Sequence, residues 1–165
     1  STNNGWSKIK EGSTTGYVSA KYLSDSQTSS STSSNTTSTS TSASKLVSYA
    51  KSLLGKPYVW GAQGPSSFDC SGFTYYVFKN CANITLPRTS VDQSTYGITV
   101  SKSNLKVGDL IFFDTDGAND GNVSHVGIYI GSNQFIHSSS TKGKVVISDF
   151  TNYYNNAFVR AKRVL

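Results

Sequence analysis

The sequence predicts an α+β domain in which helices come first and an antiparallel sheet follows, set behind a small β fragment. Three observations carry that expectation. Apolar residues recur at helical spacing around Leu46 to Leu54 and again after Cys70. From Asp109 onward the texture changes to short apolar runs broken by Gly, Asn and Ser. Residues 24–44 carry almost nothing but hydroxyl side chains, which sets residues 1–23 apart from residues 45–165. Helices first and strands afterwards is the α+β order.

Residues 1–23 alternate aromatic and polar positions around two glycine-bearing turns: Trp6 and Ile9, then Gly12 and Gly16, then Tyr17, Val18, Tyr22 and Leu23. Two short strands joined by a turn fit this pattern. Two strands alone are marginal in water, so the fragment reads as the end of a small β domain. The run NGWSKIKEGSTTGYVSAKYLS resembles the closing strands of a bacterial SH3-type repeat, which implies binding to cell-wall peptides. Residues 24–44 are Ser and Thr apart from Asp25, Gln27, Asn35 and Ala43. No apolar side chain there exceeds a methyl group, so the stretch cannot offset the entropy of ordering itself. A flexible, hydrated linker is expected.

In SKLVSYAKSLLG, Leu46, Val47, Ala50, Leu53 and Leu54 fall at helical spacing, with Ser44 placed to cap the start and Gly55 and Pro57 to stop the helix. DCSGFTYYVFKNC sets Phe73, Tyr76, Val77 and Phe78 on a second helix that begins at or near Cys70. The runs DLIFF, HVGIYIG, QFIHS, KVVISDF and AFVRAKRVL, separated by short polar loops, predict an antiparallel meander. Trp60 is expected in the core, and Asp109 as a turn-closing carboxylate before the strand LIFF.

The apolar fraction of 36% is low for a fully globular chain, and the deficit is local to the hydroxyl-rich stretch. The net charge of +6 favours polyanionic surroundings: nucleic acid, anionic lipid or an acidic wall polymer. The basic residues are scattered, with Lys142/Lys144 and Arg160/Lys162/Arg163 the only tight groups, and no nucleic-acid motif accompanies them. General solubility explains them as well. No apolar run approaches the length of a membrane span. The chain starts at Ser1 and contains no Met, so a longer precursor with a leader upstream is expected. Two cysteines are too few for a disulfide framework. On one helix Cys70 and Cys81 would stand roughly 16 Å apart, which excludes a bond between them.

A helix N-terminus favours a thiolate, because unpaired N–H groups and the helix dipole stabilise it. Cys70 sits where the second helix should begin, after the polar turn GPSSFD, and Gly72 leaves room for a substrate backbone beside the sulfur. Cys81 lies near the helix end, where the dipole disfavours a thiolate, and reads as structural. The two histidines, His125 and His137, belong to adjacent strands joined by a turn at Gly131 to Asn133. Hairpin pairing puts position 125 opposite roughly 140, with 137 diagonal to it. One imidazole is then a base and the other its orienter. Structural roles for all four residues stay open on local physics alone. Zinc ligation is disfavoured, since neither pair has the short spacing of structural sites.

Six ordered blocks, GKPYVWG, DCSGF, LPRTSVDQ, VGDLIFF, SHVGIYIG and FIHS, resemble the NlpC/P60 family of papain-like cell-wall endopeptidases over about Ser44 to Leu165. The resemblance implies a papain-like fold and a specific chemistry. Cys70 would attack the amide that joins the side-chain carboxyl of D-glutamate to the third residue of the peptidoglycan stem. His125 would take the thiol proton and return it to the leaving amine, and His137 would orient His125. Tyr58 matches a tyrosine near the nucleophile that helps stabilise the oxyanion with the backbone N–H of Cys70. Asp69 and Ser71 match positions that contact the stem peptide, Asp69 by meeting a free amino terminus. Arg88 and Ser124 are further pocket candidates, with a surface salt bridge and a strand-end hydroxyl as their plainer readings. Ala62 stands where the family usually places a second glycine, and its methyl is expected to shift the loop near Tyr58.

The sequence therefore predicts a wall hydrolase that needs no cofactor or metal, acts as a secreted or wall-associated monomer, and takes stem peptides as substrate. Anionic wall polymers are a further expected partner. An amidase cutting the glycan–peptide junction, an acyltransferase using the same thioester, and a non-catalytic wall-binding or toxin-like protein are the rivals. The third stem residue, diaminopimelate or lysine, is left open.

Overall fold

The computed structural model describes residues 2–3, 6–11, 14–19, 33–118 and 120–165, with side chains from residue 39 onward. The chain divides into two units, Ser1–Ser40 and Thr41–Leu165. In the first, β1 (Thr2–Asn3), β2 (Trp6–Glu11) and β3 (Thr14–Ser19) form an antiparallel sheet in the order β1-β2-β3. The two expected strands are β2 and β3. Gly16, expected in a turn, lies within β3 opposite Ile9, and the Gly12 turn lies outside the described residues.

Helix α1 (Ser33–Ser52) begins well upstream of Ser44, so residues 33–44, expected as linker, are helical. Extending a helix that is already nucleated adds one hydrogen bond per residue fixed, and Ser and Thr cost only a few tenths of a kcal/mol each against that gain. The helix is anchored by Leu46 and Ala50, which are fully buried, and by Val47, and Leu53 is buried in the turn that follows. Leu54 falls beyond the last helical residue and is exposed. Gly55 takes the left-handed φ of 82° that turns the chain there, and its N–H bonds Val145.

Helix α2 (Cys70–Ala82) is capped by Asp69, whose carboxylate accepts the Gly72 N–H, and ends at Asn83 in the left-handed region (φ 55°). Phe73, Val77 and Phe78 are completely buried along it, at roughly 2 kcal/mol each of apolar burial. A short α3 (Ser90–Gln93) follows, capped by Thr89.

The main sheet contains β4 (Ile98–Val100), β5 (Leu110–Phe113), β6 (His125–Gly131), β7 (Gln134–Ser139), β8 (Lys144–Asp149) and β9 (Phe158–Arg163), in the order β4-β9-β5-β6-β7-β8. β5 to β8 are the expected meander. The last strand does not extend it at the β8 edge. After helix α4 (Asn152–Ala157), β9 returns to pair with β5 on one side and β4 on the other. All four residues of β5 are fully buried, and a strand so enclosed needs ladder partners on both edges. Leu110 and Phe112 join the core built on α1 and α2, while Ile111 and Phe113 join a second core with Phe135, Phe150 and Ala161. The sheet is thus covered on both faces.

Trp60 is 86% exposed and does not belong to the core. Its loop is folded tightly by backbone bonds from Val59 to Phe68, Ala62 to Val59 and Asp69 to Ala62, and Phe68 takes the interior position instead. Asp109 closes its turn by accepting the Lys106 N–H, and also receives Arg163 on both oxygens at 2.8 and 2.7 Å.

Candidate active site

Cys70 is the first residue of α2, half-buried and unpaired. The thiolate stabilisation expected from the helix start is present but outweighed. Burial pushes the Cys70 thiol up and the Asp69 charge adds to it, while the N–H groups of Val126, Ser71 and Cys70 draw it back. The Val126 N–H comes from the open end of a hairpin. β6 and β7 pair only between Ile128↔Ile136 and the turn, and Cys70 takes up the neighbouring strand end.

The histidines meet there. His125 Nε2 lies 2.7 Å from His137 Nδ1, with the rings nearly perpendicular. An irregularity between Tyr129 and Gly131 moves the register by one from the simple hairpin count, which would have set the two rings on opposite faces; the observed register, continued past Ile128↔Ile136, sets His137 opposite Gly127 and so on the His125 face. That face is the one occupied by Phe113, Phe135 and Tyr154. Gly127 makes the approach possible: a Cβ there would come within 2.8 Å of the Phe135 ring and 3.3 Å of His137 Cβ. His137 Nε2 in turn lies 2.9 Å from Ser148 Oγ. Sequence reasoning missed both Gly127 and Ser148. The signal for Ser148 was hairpin parity, since Val146 faces His137 and Ser148 lies two residues on along the same face.

Both imidazoles are held neutral. Burial brings His125 down to about 4, and burial together with its His125 neighbour lowers His137. Of the two directions the His125–His137 bond allows, a role as base for the thiol selects one. With Nε2 engaged, Nδ1 is the nitrogen His125 has free for a thiol. For Nδ1 to accept a proton, Nε2 must carry one and donate to His137 Nδ1, and His137 then donates from Nε2 to Ser148. Among the described residues no hydrogen bond joins the Cys70 thiol to the His125 ring. Such contacts commonly tighten only once substrate is bound.

The remaining expected residues surround the thiol. Asp69 is buried and occupied: Oδ1 accepts Gly72 N–H at 2.6 Å and Arg88 Nη1 at 3.1 Å, and Oδ2 accepts Gly61 N–H at 3.0 Å and Arg88 Nη2 at 2.6 Å. Ser71 Oγ receives a second bond from Arg88 at 3.0 Å. Arg88 is therefore half-buried and tied to the nucleophile's own helix, not a surface salt bridge. Gly72 is required by packing, since a Cβ would stand 2.1 Å from the Ala62 carbonyl oxygen, and that space belongs to the loop and not to a substrate. Ala62 is not among the residues with positive φ, so its methyl imposes no backbone strain. Tyr58 is half-buried and its phenol is pushed up by burial, then by Cys70 and Asp69, which places it within electrostatic reach of the thiol. Ser124 Oγ accepts the Thr115 N–H at 2.7 Å, bracing the loop before His125. Cys81 is a half-buried thiol packed against the first core. Among the described residues no group of three or more His, Cys, Asp or Glu is placed to hold a metal ion, and no helix is long and apolar enough to cross a membrane.

A helix that starts at a thiol, packed on an antiparallel sheet that carries a histidine pair, defines an α+β domain of the papain-like type. Residues 55–163 match the model of the NlpC/P60 family, and the chain belongs to that family. It is 41% identical over 121 residues to a gamma-D-glutamyl-L-lysine dipeptidyl-peptidase of Bacillus cereus, covering 73% of this chain and 36% of the relative. It is 39% identical over 116 residues to the murein DD-endopeptidase MepH of Escherichia coli, covering 68% and 42%. The crystal structure of an NlpC/P60 family protein from Bacillus cereus superposes with a TM-score of 0.68 at 41% identity, over 73% of this chain and 39% of that one. The chain thus spans less than half the length of these relatives.

Proposed function

We propose that this domain is a peptidoglycan endopeptidase that cleaves the bond between the γ-carboxyl of D-glutamate and the third stem residue through a Cys70 acyl-enzyme. The observation that carries the reading is the line from His125 through His137 to Ser148, with the residue after His125, Val126, giving its N–H to the Cys70 thiol. Cys70 Sγ attacks the amide carbonyl as its proton passes to His125 Nδ1. The tetrahedral oxyanion meets the N–H groups at the start of α2 and the Tyr58 hydroxyl. His125 then protonates the leaving amine, the C–N bond breaks, and a thioester remains. A water, deprotonated by His125, attacks the thioester and restores the thiol.

The B. cereus relative is named for the γ-D-glutamyl-L-lysine bond and the E. coli relative for a DD bond, so the glutamyl site is the finer part of this proposal. Asp69 and Ser71 belong to the wall of the acyl side. A substrate ammonium reaching Asp69 would compete there with Arg88. Residues 1–23 are proposed as the closing strands of an SH3-type wall-binding repeat, which would raise the local concentration of substrate. A secreted, monomeric enzyme acting among anionic wall polymers completes the reading.

Digestion of chemically defined peptidoglycan by the wild-type chain and by Cys70→Ala, with products identified by mass, tests it. Fragments ending in D-glutamate from wild type, and none from the variant, are the expected result. Sugars freed from intact stem peptides would replace the reading with an amidase, and opened cross-links with intact glutamyl bonds would replace it with a DD-endopeptidase. Undiminished cleavage by Cys70→Ala would overturn the mechanism.

A further inference from the structure

One buried acid takes no part in the machinery described above. Asp114 follows β5 directly and is only 6% exposed. Its Oδ2 accepts the Gly121 N–H at 2.9 Å, its side chain meets the Asp120 carboxyl, and among the described residues its Oδ1 has no hydrogen-bond partner. A buried carboxylate oxygen is normally satisfied, and with a second carboxyl beside it a cation is the fitting donor. Asp114 also lines a cavity of about 210 Å³ with Thr115, Gly117, Tyr153, Asn156 and Ala157.

The walls specify the donor. None of these residues is Lys or Arg, so nothing within the cavity neutralises Asp114 or attracts an anion. Thr115 offers a hydroxyl that already meets Ser124 Oγ at 3.2 Å, and the Asn156 amide makes no hydrogen bond among the described residues. The Tyr153 ring, 58% exposed, gives an apolar wall and a π face for a cation. An ammonium on an alkyl stem matches this set: three donors for a carboxylate, a hydroxyl and an amide oxygen, with methylenes against the ring. The volume corresponds to roughly seven waters at about 30 Å³ each, enough for an aminobutyl group. A divalent metal fits less well, because no three acidic or metal-binding side chains converge among the described residues.

The cavity adjoins the segments that hold His125 and His137. Phe113, the residue before Asp114, is the cross-strand partner of His125, so the two Cα atoms are about 5.5 Å apart or less. Thr115 is bonded to Ser124, the residue before His125, and Tyr153 stacks on Tyr154, which packs against His137. His125 is the group that protonates the leaving amine in the mechanism above. Asp69 and Arg88 lie instead at the start of α2.

We infer that the Asp114 cavity is the subsite for the side-chain ammonium of the residue whose amine is released, and that it favours a single terminal ammonium, as in lysine. This inference rests on the endopeptidase reading. The second carboxylate of diaminopimelate would enter a cavity with no cation to receive it.

The test compares kcat/KM for L-Ala-γ-D-Glu-L-Lys, its Nε-acetyl analogue and the meso-diaminopimelate peptide, in wild type and in Asp114→Asn. A charge-assisted bond lost on acetylation predicts a preference for free lysine of about 10- to 100-fold in wild type. Asp114→Asn keeps an oxygen for Gly121 and sets an N–H₂ donor at the orphan position, so the preference should collapse toward unity. Asn156→Asp adds a second carboxylate and should raise the preference, which covers the case of an Asp114 variant that fails to fold. Equal rates on lysine and acetyl-lysine in wild type would overturn the inference alone. A preference that survives Asp114→Asn would do the same, and the cavity would then hold water only. Failure of wild type to cut any stem peptide would instead remove the endopeptidase reading, and the subsite with it.

Discussion

Lowering the pH should unfold this domain through its histidines, and the sign of that effect decides how the Cys–His pair rests. His125 is 9% exposed and burial brings it from 6.5 to about 4. Below 6.5 the unfolded chain therefore binds a proton that the folded chain refuses. Stability from this group is full above pH 6.5 and is lost as pH falls through about 4. At about 1.4 kcal/mol per pH unit the whole effect is about 3 kcal/mol, of which about 2 kcal/mol is gone by pH 5. His137 is lowered as well and acts in the same direction. The assay is urea unfolding between pH 8 and pH 5, comparing wild type with the His125→Gln/His137→Gln double variant. Wild type should lose at least about 2 kcal/mol more than the variant over that range. A thiolate–imidazolium resting pair would raise His125 instead, and stability would then be lost as pH rises. Parallel curves for the two proteins, or a wild type that gains stability at pH 5, would refute the neutral buried pair.

Three substitutions extend the reasoning. Gly72→Ala puts a methyl 2.1 Å from the Ala62 carbonyl oxygen, a backbone atom that cannot swing aside. It should cost about 1–3 kcal/mol in unfolding free energy and also lower kcat, because the Tyr58 loop must move. Arg88→Met leaves the buried Asp69 without its ion pair at 2.6 Å. A loss of about 1–2 kcal/mol is expected, discounted for the exposure of Arg88, with the midpoint read by thermal unfolding at low and high salt. Ser148→Ala removes the acceptor that holds the His137 Nε2 proton and should lower kcat by about tenfold with KM little changed. Ser148→Thr should restore it. The ¹⁵N shifts of His137 should show mixed tautomers in the alanine variant alone, which a purely structural role for Ser148 would not produce.

What could be read from the sequence was what residue type and short-range pattern determine. Cys70 was placed at a helix start because the polar turn GPSSFD precedes it and Phe73, Tyr76, Val77 and Phe78 follow at helical spacing, a local relation that the Asp69 cap completes. His125 and His137 were expected close together because one hairpin carries both, but the simple count sets their rings on opposite faces, and only the one-residue displacement at the turn irregularity brings them onto one. The return of β9 between β4 and β5 was not legible, because nothing in AFVRAKRVL distinguishes an edge position from an interior one. Trp60 failed for a related reason. Its size argued for burial, whereas the backbone bonds of its loop gave the interior to Phe68. Gly127 has no local signature, and Ser148 has only the parity of the β7–β8 hairpin. Their roles exist only once β7 lies between β6 and β8 and brings His137 against both.

Asp69 shows how far the fold and the site are one construction. Its two oxygens receive donors from helix α2, from the loop that carries Tyr58 and from Arg88. The same charge raises the Cys70 thiol, so what holds the nucleophile in place also weakens it as a thiolate. Arg88 offsets part of that charge, and the Val126 N–H supplies a donor where the β6–β7 ladder has opened. With the thiol held up and His125 held down, a resting ion pair is disfavoured from both sides. Proton transfer then belongs with the attack on the carbonyl, when the developing oxyanion first gives the helix-start N–H groups a charge to stabilise. Replacing Asp69 by Asn would remove the charge and keep an acceptor for the cap. The thiol should then titrate lower while the free enzyme becomes less stable, so the rate of iodoacetamide alkylation near neutral pH should rise. A slower or unchanged alkylation rate would show that burial alone, and not Asp69, keeps the thiol protonated.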